Sequence, residues 1–184
     1  MFRAPREYVV VVTDLVEIRR LGTVKAAENV AFRRYLAARH CAMEPFQALA
    51  VSVQRGMDCT ACANCCRYSV VSVGRAELQE IARHARLDSA ELVRRYTDPD
   101  PEAPARRIVR SGRNGCIFLD GNLCSIYPAR PSACREFPHV TRGEHSLGAR
   151  MASLCRWAPL CPIVYNALEA FKHAVGYHHS DTAA

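Results

Sequence analysis

Apolar residues recur at helical spacing in several stretches of this chain and alternate at strand spacing in only a few. Val30, Tyr35 and Leu36, set among alanines and arginines, predict a helix from Val24 to about Cys41. Met43 to Val53 predicts a second helical segment, with a break near Pro45. Leu78, Ile81, Ala82 and Ala85 share one face of a helix over 75–86. Asp88 or Ser89 then caps a helix running to about Tyr96, with Leu92 and Val93 inward. Pro162 suits the first position of a last helix ending near Val175.

Strand signals are shorter. Tyr8 to Thr13 is apolar and β-branched, Val70, Val71 and Val73 read as a short strand or extended link, and Ile108 and Val109 start a small sheet. The clearest β-signal is a hairpin, Cys116 to Leu119 and Leu123 to Tyr127, around Asp120-Gly121-Asn122. Side chains alternate faces along a strand, so loop length decides the chemistry. A two-residue loop facing Ile117 to Cys124 leaves Cys116 on the opposite face. A three-residue loop pairs Phe118 with Cys124 and puts Cys116 and Cys124 on one face. Shared ligation by both cysteines predicts the longer loop, with Gly121 or Asn122 left-handed. Three prolines between Thr97 and Ala105 predict a mobile loop, and 138–150 reads as an irregular one. The pattern is that of an α+β fold, helices around a short hairpin in one domain. Residues 1–55 form an N-terminal strand and helical cover, 56–176 a cysteine-rich domain, and 177–184 a flexible tail.

Composition narrows the partners. The formal charge is +7, from 25 basic and 18 acidic side chains, and Lys25 and Lys172 are the only lysines. The arginines are scattered over the whole chain, so there is no single basic stripe and no clear nucleic-acid signal. The apolar run Tyr8–Val12 is far short of the about 20 residues a bilayer span needs, so no membrane segment is expected. No small-residue cleavage site follows it, and a cytoplasmic location is the expectation.

Ten cysteines are many for a reducing compartment. Four fall in Cys59-Thr-Ala-Cys62-Ala-Asn-Cys65-Cys66. An even number admits a disulfide framework, but secretory features are missing and adjacent cysteines do not readily bridge each other. Closely spaced cytosolic cysteines more often bind metal or do redox chemistry. Thiolates are soft anions that suit zinc, copper(I) and iron–sulfur clusters. Two-residue spacers turn successive thiolates toward one centre, and three cysteines so spaced begin a ferredoxin-type run, whose remote last cysteine precedes proline as Cys161 precedes Pro162. The same dipeptide is equally a plain helix start.

Cys59-x2-Cys62-x2-Cys65-Cys66-Arg67 resembles the signature of the CxxCxxCC, or YkgJ-type, cysteine cluster proteins. The second half adds Gly115-Cys116-Ile-Phe-Leu119-Asp120 and Cys124-Ser-Ile-Tyr127-x2-Arg130-Pro131-x2-Cys134-Arg135-x-Phe137-Pro138. Asn64 stands where the family often has glycine. The resemblance implies a zinc- or iron-chelating domain, often labelled an iron–sulfur protein, and flagellin lysine N-methylases carry a similar domain. Position by position it makes Cys59, Cys62, Cys65, Cys66, Cys116, Cys124, Cys134 and Cys155 the ligand candidates, with Cys161 a ninth and weaker one. Eight thiolates would fill two four-coordinate centres, or one cluster such as 4Fe–4S plus a second ion.

Arginines follow Cys66, Cys134 and Cys155, where guanidinium groups would offset thiolate charge and donate to sulfur. Arg130 is read as bracing its loop, Cys41 as a small buried hydrophobe, and His139 as the best histidine candidate. No Gly-x-Ser-x-Gly, His-Glu-x-x-His or P-loop appears, and no glycine-rich methyl-donor loop follows a strand. The expected function is metal binding, with zinc or iron as partner. A cluster-dependent redox or methyl-transfer enzyme is the alternative, and a metal-free thiol oxidoreductase using Cys59-x2-Cys62 ranks last.

Overall fold

Asp14 stops the extended chain and starts a helix, its carboxylate accepting the Glu17 amide at 2.7 Å. The computed structural model describes residues 11–140 and 146–178. Its elements, in chain order, begin with α1 (Leu15–Val24), α2 (Ala26–Ala38) and α3 (Glu44–Arg55). Then come α4 (Cys59–Cys62), α5 (Asn64–Tyr68), β1 (Ser72–Val73), α6 (Arg75–Ala85), α7 (Ser89–Tyr96), β2 (Thr97–Pro99) and β3 (Arg107–Val109). Four two-residue strands follow, β4 (Ser111–Gly112), β5 (Gly115–Cys116), β6 (Leu119–Asp120) and β7 (Leu123–Cys124), and then α8 (Ser132–Glu136), α9 (Leu147–Trp157) and α10 (Pro162–Ala174). The fold is α+β, as expected.

Residues up to Met57 and from Pro138 onward form a helical unit, and Asp58–Phe137 form a second unit that holds all the strands found among the described residues. In the helical unit, α10 is buried along nearly its whole length. Phe171 of α10 meets Phe32 and Phe46 edge-on at 5.8 and 5.4 Å, and Tyr177 packs on Phe32 at 4.9 Å. Asn166 binds both main-chain groups of Val12, accepting its N–H at 2.9 Å and donating to its carbonyl at 2.8 Å.

Both lysines of the chain fall in one ion network of this unit. Lys172 is only 4 % exposed and donates to Glu28 and Glu169 at 2.7 Å each, while Lys25 pairs with the other oxygen of Glu169. Removing one partner of a buried pair strands the remaining charge. Lys172→Ala is therefore expected to cost about 3 kcal/mol, read as a lower urea midpoint; an unchanged midpoint would refute the network's structural role.

In the second unit β1, β3 and β2 make an antiparallel sheet with β3 central. It packs with α6 and α7 around Val73, Leu78, Ile81, Leu92 and Val109. Asp88 caps α7, as expected, accepting from Ala90 and Glu91. Glu77, in the first turn of α6, accepts the Gly74 amide and both the amide and the hydroxyl of Ser132, each at 2.9 Å. It thereby ties α6 to α8. Burial alone would raise its pKa, but these bonds and the Arg106 charge together hold it below the ordinary 4.5. A depressed folded pKa contributes stability above the unfolded value and loses it as pH falls toward the folded one. Glu77→Ala is expected to cost about 2 kcal/mol at pH 7, and the gap from the wild type should narrow progressively below about pH 5. Urea midpoints at pH 7 and pH 4 check both.

Several sequence expectations need correcting. The helix expected from Val24 to about Cys41 is α2, Ala26–Ala38, but a separate helix, α1, precedes it over Leu15–Val24, where none was expected. Pro45 opens α3 instead of breaking it, because its missing N–H and fixed φ suit a first turn. Thr97–Pro99 is a strand, with Thr97 buried and paired to Val109; proline is tolerated here on a sheet edge. The expected strand at Tyr8–Thr13 lies mainly outside the described residues, and Val11 to Thr13 are not strand. Residues 146–150, expected to be irregular, begin α9 under the Ser146 cap.

Candidate metal centre

The cysteine-rich segment Cys59–Cys66 lies on two short helical turns, α4 and α5. Asp58 caps the first, accepting from the Thr60 amide at 2.8 Å and the Thr60 hydroxyl at 2.6 Å. Cys59 and Cys62 stand at its two ends. Ala63 then takes the left-handed conformation, φ 47, so the chain breaks direction and restarts as α5 with Cys65 and Cys66. Neighbouring residues on a helix ordinarily point apart, yet here the Cys65 thiol reaches Cys66 with a hydrogen bond.

The other half of the cysteine set arrives on three separate elements. Cys116 lies in β5 opposite Ser111, Cys124 in β7 opposite Leu119, and Cys134 in α8. All three are half-buried against the apolar cluster that includes Phe118 and Ile126. The three-residue loop expected at the hairpin is not formed. The turn is Gly121-Asn122, with Asp120 paired to Leu123, so Leu119 and not Phe118 faces Cys124. Gly121 is left-handed, φ 57, the position where a missing Cβ removes the steric penalty. Cys116 and Cys124 thus belong to different ladders and are not related by one strand's alternation.

Electrostatics ties these thiols together. Burial pushes Cys134 up to about 12, with further contributions from Cys116, Cys66 and Cys124. Burial likewise raises Cys116, beside Cys124 and Cys66, and raises Cys124, beside Cys66. The Cys66 charge therefore raises the other three thiols, and Cys116 and Cys124 add to it at Cys134. Cys59 is raised by burial and then by Cys62, Asp58 and Cys66. Cys66 is lowered to about 6, first by a hydrogen bond from the Cys65 thiol and then, against burial, by Arg130 and Arg67.

Main-chain donors favour the anionic form as well. The Phe118 N–H serves Cys116 and the Ile126 N–H serves Cys124, each two residues beyond its sulfur. Arg130 is braced as expected: its Nε donates to the Tyr127 carbonyl at 3.0 Å, and its guanidinium lies 3.5 Å over the Tyr127 ring. Its charge also lowers Cys59, Cys66, Cys124 and Cys134, a role the sequence reading did not assign. Arg67 and Arg135, expected to donate to sulfur, instead bond main-chain carbonyls, of Cys62 and Gly121 for Arg67 and of Arg130 for Arg135.

The remaining candidates lie in the helical unit. Cys155 is buried on α9, its thiol donating to the Asn29 carbonyl at 3.5 Å. Cys161 is buried at the start of α10. Cys41 is half-buried, and His139 has a positive φ of 61. No disulfide joins any of the ten cysteines.

Among the described residues, no three His, Cys, Asp or Glu side chains stand around one ion position. The donor chemistry of the second unit still fits zinc or iron. Seven of the ten cysteines lie there, with the Arg130 charge near several of them and amide donors to Cys116 and Cys124. Such a set defines a thiolate metal-binding class. The chain belongs to the CxxCxxCC family, described as a "putative zinc- or iron-chelating domain", whose family model matches residues 58–156, over half of the chain. No curated protein and no solved structure matches it. Among the described residues no helix is long and apolar enough to cross a membrane.

Proposed function

We propose that this protein holds a zinc or iron centre through the thiolates of Cys59, Cys62, Cys65, Cys66, Cys116, Cys124 and Cys134. The supporting observation is that Cys66, Cys116, Cys124 and Cys134, from segments far apart in sequence, are all mutual electrostatic neighbours. Clustered thiols repel one another once ionised, so without a cation the arrangement disfavours its own anionic form. A metal reverses that sign, turning each thiolate from a liability into a ligand. Arg130 and the Phe118 and Ile126 amides act in the same direction.

Elemental analysis of anaerobically purified protein tests this reading. Iron with a brown colour and absorption near 400 nm would assign an iron–sulfur cluster; colourless protein retaining zinc would assign a structural zinc site. Protein that is metal-free and takes up neither ion would overturn it. Serine substitutions locate the ligands: Cys62→Ser and Cys124→Ser should lose metal, and Cys41→Ser should keep it. Cys155 is tested in the same series. Metal loss in C155S makes it a ligand, and retention leaves its thiol to the Asn29 carbonyl.

A further inference from the structure

The four-residue helix α4 ends with carbonyls that its own short ladder cannot satisfy. Two side chains from outside the helix bond them. Arg67 donates through one guanidinium nitrogen to the Cys62 carbonyl at 3.2 Å. The Asn122 amide donates to the Ala61 carbonyl at 2.7 Å. Arg67 and Asn122 are also joined to each other: the second guanidinium nitrogen of Arg67 reaches the Asn122 side-chain oxygen at 2.5 Å and the Gly121 carbonyl at 3.2 Å. The result is a closed clasp between the end of α4 and the β6–β7 turn, spanning over fifty residues of sequence.

The clasp sits between cysteines on both sides. Cys62 supplies one of the carbonyls, Cys66 is the residue before Arg67, and Cys124 lies two residues after Asn122. We propose that Arg67 and Asn122 are positioning residues for metal capture, fixing the Cys59–Cys66 segment against the hairpin that carries Cys124. This rests on the metal-binding reading above. Each side chain bonds main-chain atoms at or beside Cys62. The guanidinium fork suits this task because it can serve two carbonyls and an amide oxygen at once. The carboxamide suits the other half because it donates and accepts from one planar group.

The test measures zinc and cobalt(II) affinity of the full-length protein by competition with a chromogenic chelator, under reducing conditions. Asn122→Ala and Arg67→Lys are expected to weaken binding about tenfold or more, the size of effect seen when groups orienting ligands are removed. The urea midpoint of the metal-free protein should fall far less, since Asn122 is exposed. Asn122→Asp is the finer probe: it keeps the acceptor for Arg67 but loses the donor to Ala61, and should lie between the wild type and N122A. Because both residues belong to one clasp, the double variant N122A/R67K should be barely weaker than the worse single variant. The cobalt thiolate charge-transfer band should broaden or shift in N122A, a change that mere loss of stability would not produce. Wild-type protein that takes up neither ion would overturn the metal-binding reading, and this inference with it. Normal wild-type uptake with unchanged affinity and cobalt spectrum in N122A and R67K would overturn the clasp's role alone.

Discussion

Stripping the metal from reduced protein with a chelator is expected to disorder the two cysteine-bearing segments, 58–70 and 112–137, and re-adding zinc or iron to restore them. The reason is the poverty of their own core. Between Asp58 and Val70 the only buried apolar side chain is Ala63, and between Gly112 and Phe137 there are only Phe118, Ile126, Ala129 and Pro131. The strands there are two residues long, too short for ladder bonds to hold a hairpin unaided. Structural zinc supplies folding free energy directly, on the order of 10 kcal/mol per site. That is comparable to the whole stability of an ordinary domain. Hydrogen exchange followed by mass spectrometry checks the outcome. Amides of α4, α5 and β5–β7 should lose protection when the chelator is added, while those of α10, buried on nearly every face, should not. Unchanged protection over 58–70 and 112–137 after verified metal loss would sink the idea.

The sequence carried the donors and hid their arrangement, for reasons visible in particular residues. Helices α6, α7 and α10 are readable because a local signal marks each: the apolar face of Leu78, Ile81 and Ala82, the Asp88 cap, and Pro162 at a first turn. Helix α1 escapes because its stretch, Leu15–Val24, mixes Glu17, Arg19 and Arg20 with its apolar residues and buries only Ile18 and Gly22. Gly22 is there for contact, not flexibility: a Cβ on it would lie 2.5 Å from the Pro159 Cα. Nothing local announces that. The strands β4 to β7 are too short to show a period of two. The hairpin register then follows from which residue takes the left-handed seat, and moving that seat by one residue changes every facing pair.

The same division holds at the candidate metal centre. Cys59, Cys62, Cys65 and Cys66 are legible as ligand candidates because metal chemistry favours their spacing. The roles of Arg67 and Asn122 depend on a contact across 55 positions, and Glu77 reaches Ser132 over an equal separation. Arginine after cysteine is visible as a dipeptide, yet its partner, a carbonyl instead of a sulfur, is decided by tertiary structure. Asp120-Gly121-Asn122 reads as a turn and no more. That Asn122 also grips α4 has no signature in one sequence.

Gly115→Ala is expected to be the most damaging single substitution outside the cysteines, at about 4 kcal/mol, combining backbone strain with overlap. Gly115 has φ +115, a conformation that L side chains rarely adopt. A Cβ there would lie 2.5 Å from the Arg67 Cα and 2.7 Å from the Cys66 carbonyl oxygen. Both are main-chain atoms, so no rotamer change relieves them, and β5 must move away from α5. That movement separates Cys116 from Cys66 and pulls on the arginine that closes the clasp. Stability and metal content should therefore fall together. Gly121→Ala provides the comparison, because Gly121 is also left-handed, φ +57, but has nothing within 4 Å of the added carbon. Its cost should be about 1 kcal/mol, the left-handed penalty alone, with metal retained. Thermal midpoints and metal content of the two variants, purified side by side, separate close approach from conformational strain. Equal losses in G115A and G121A would show that the contact between β5 and α5 contributes nothing, and that Cys66 and Cys116 are held in proximity by other means.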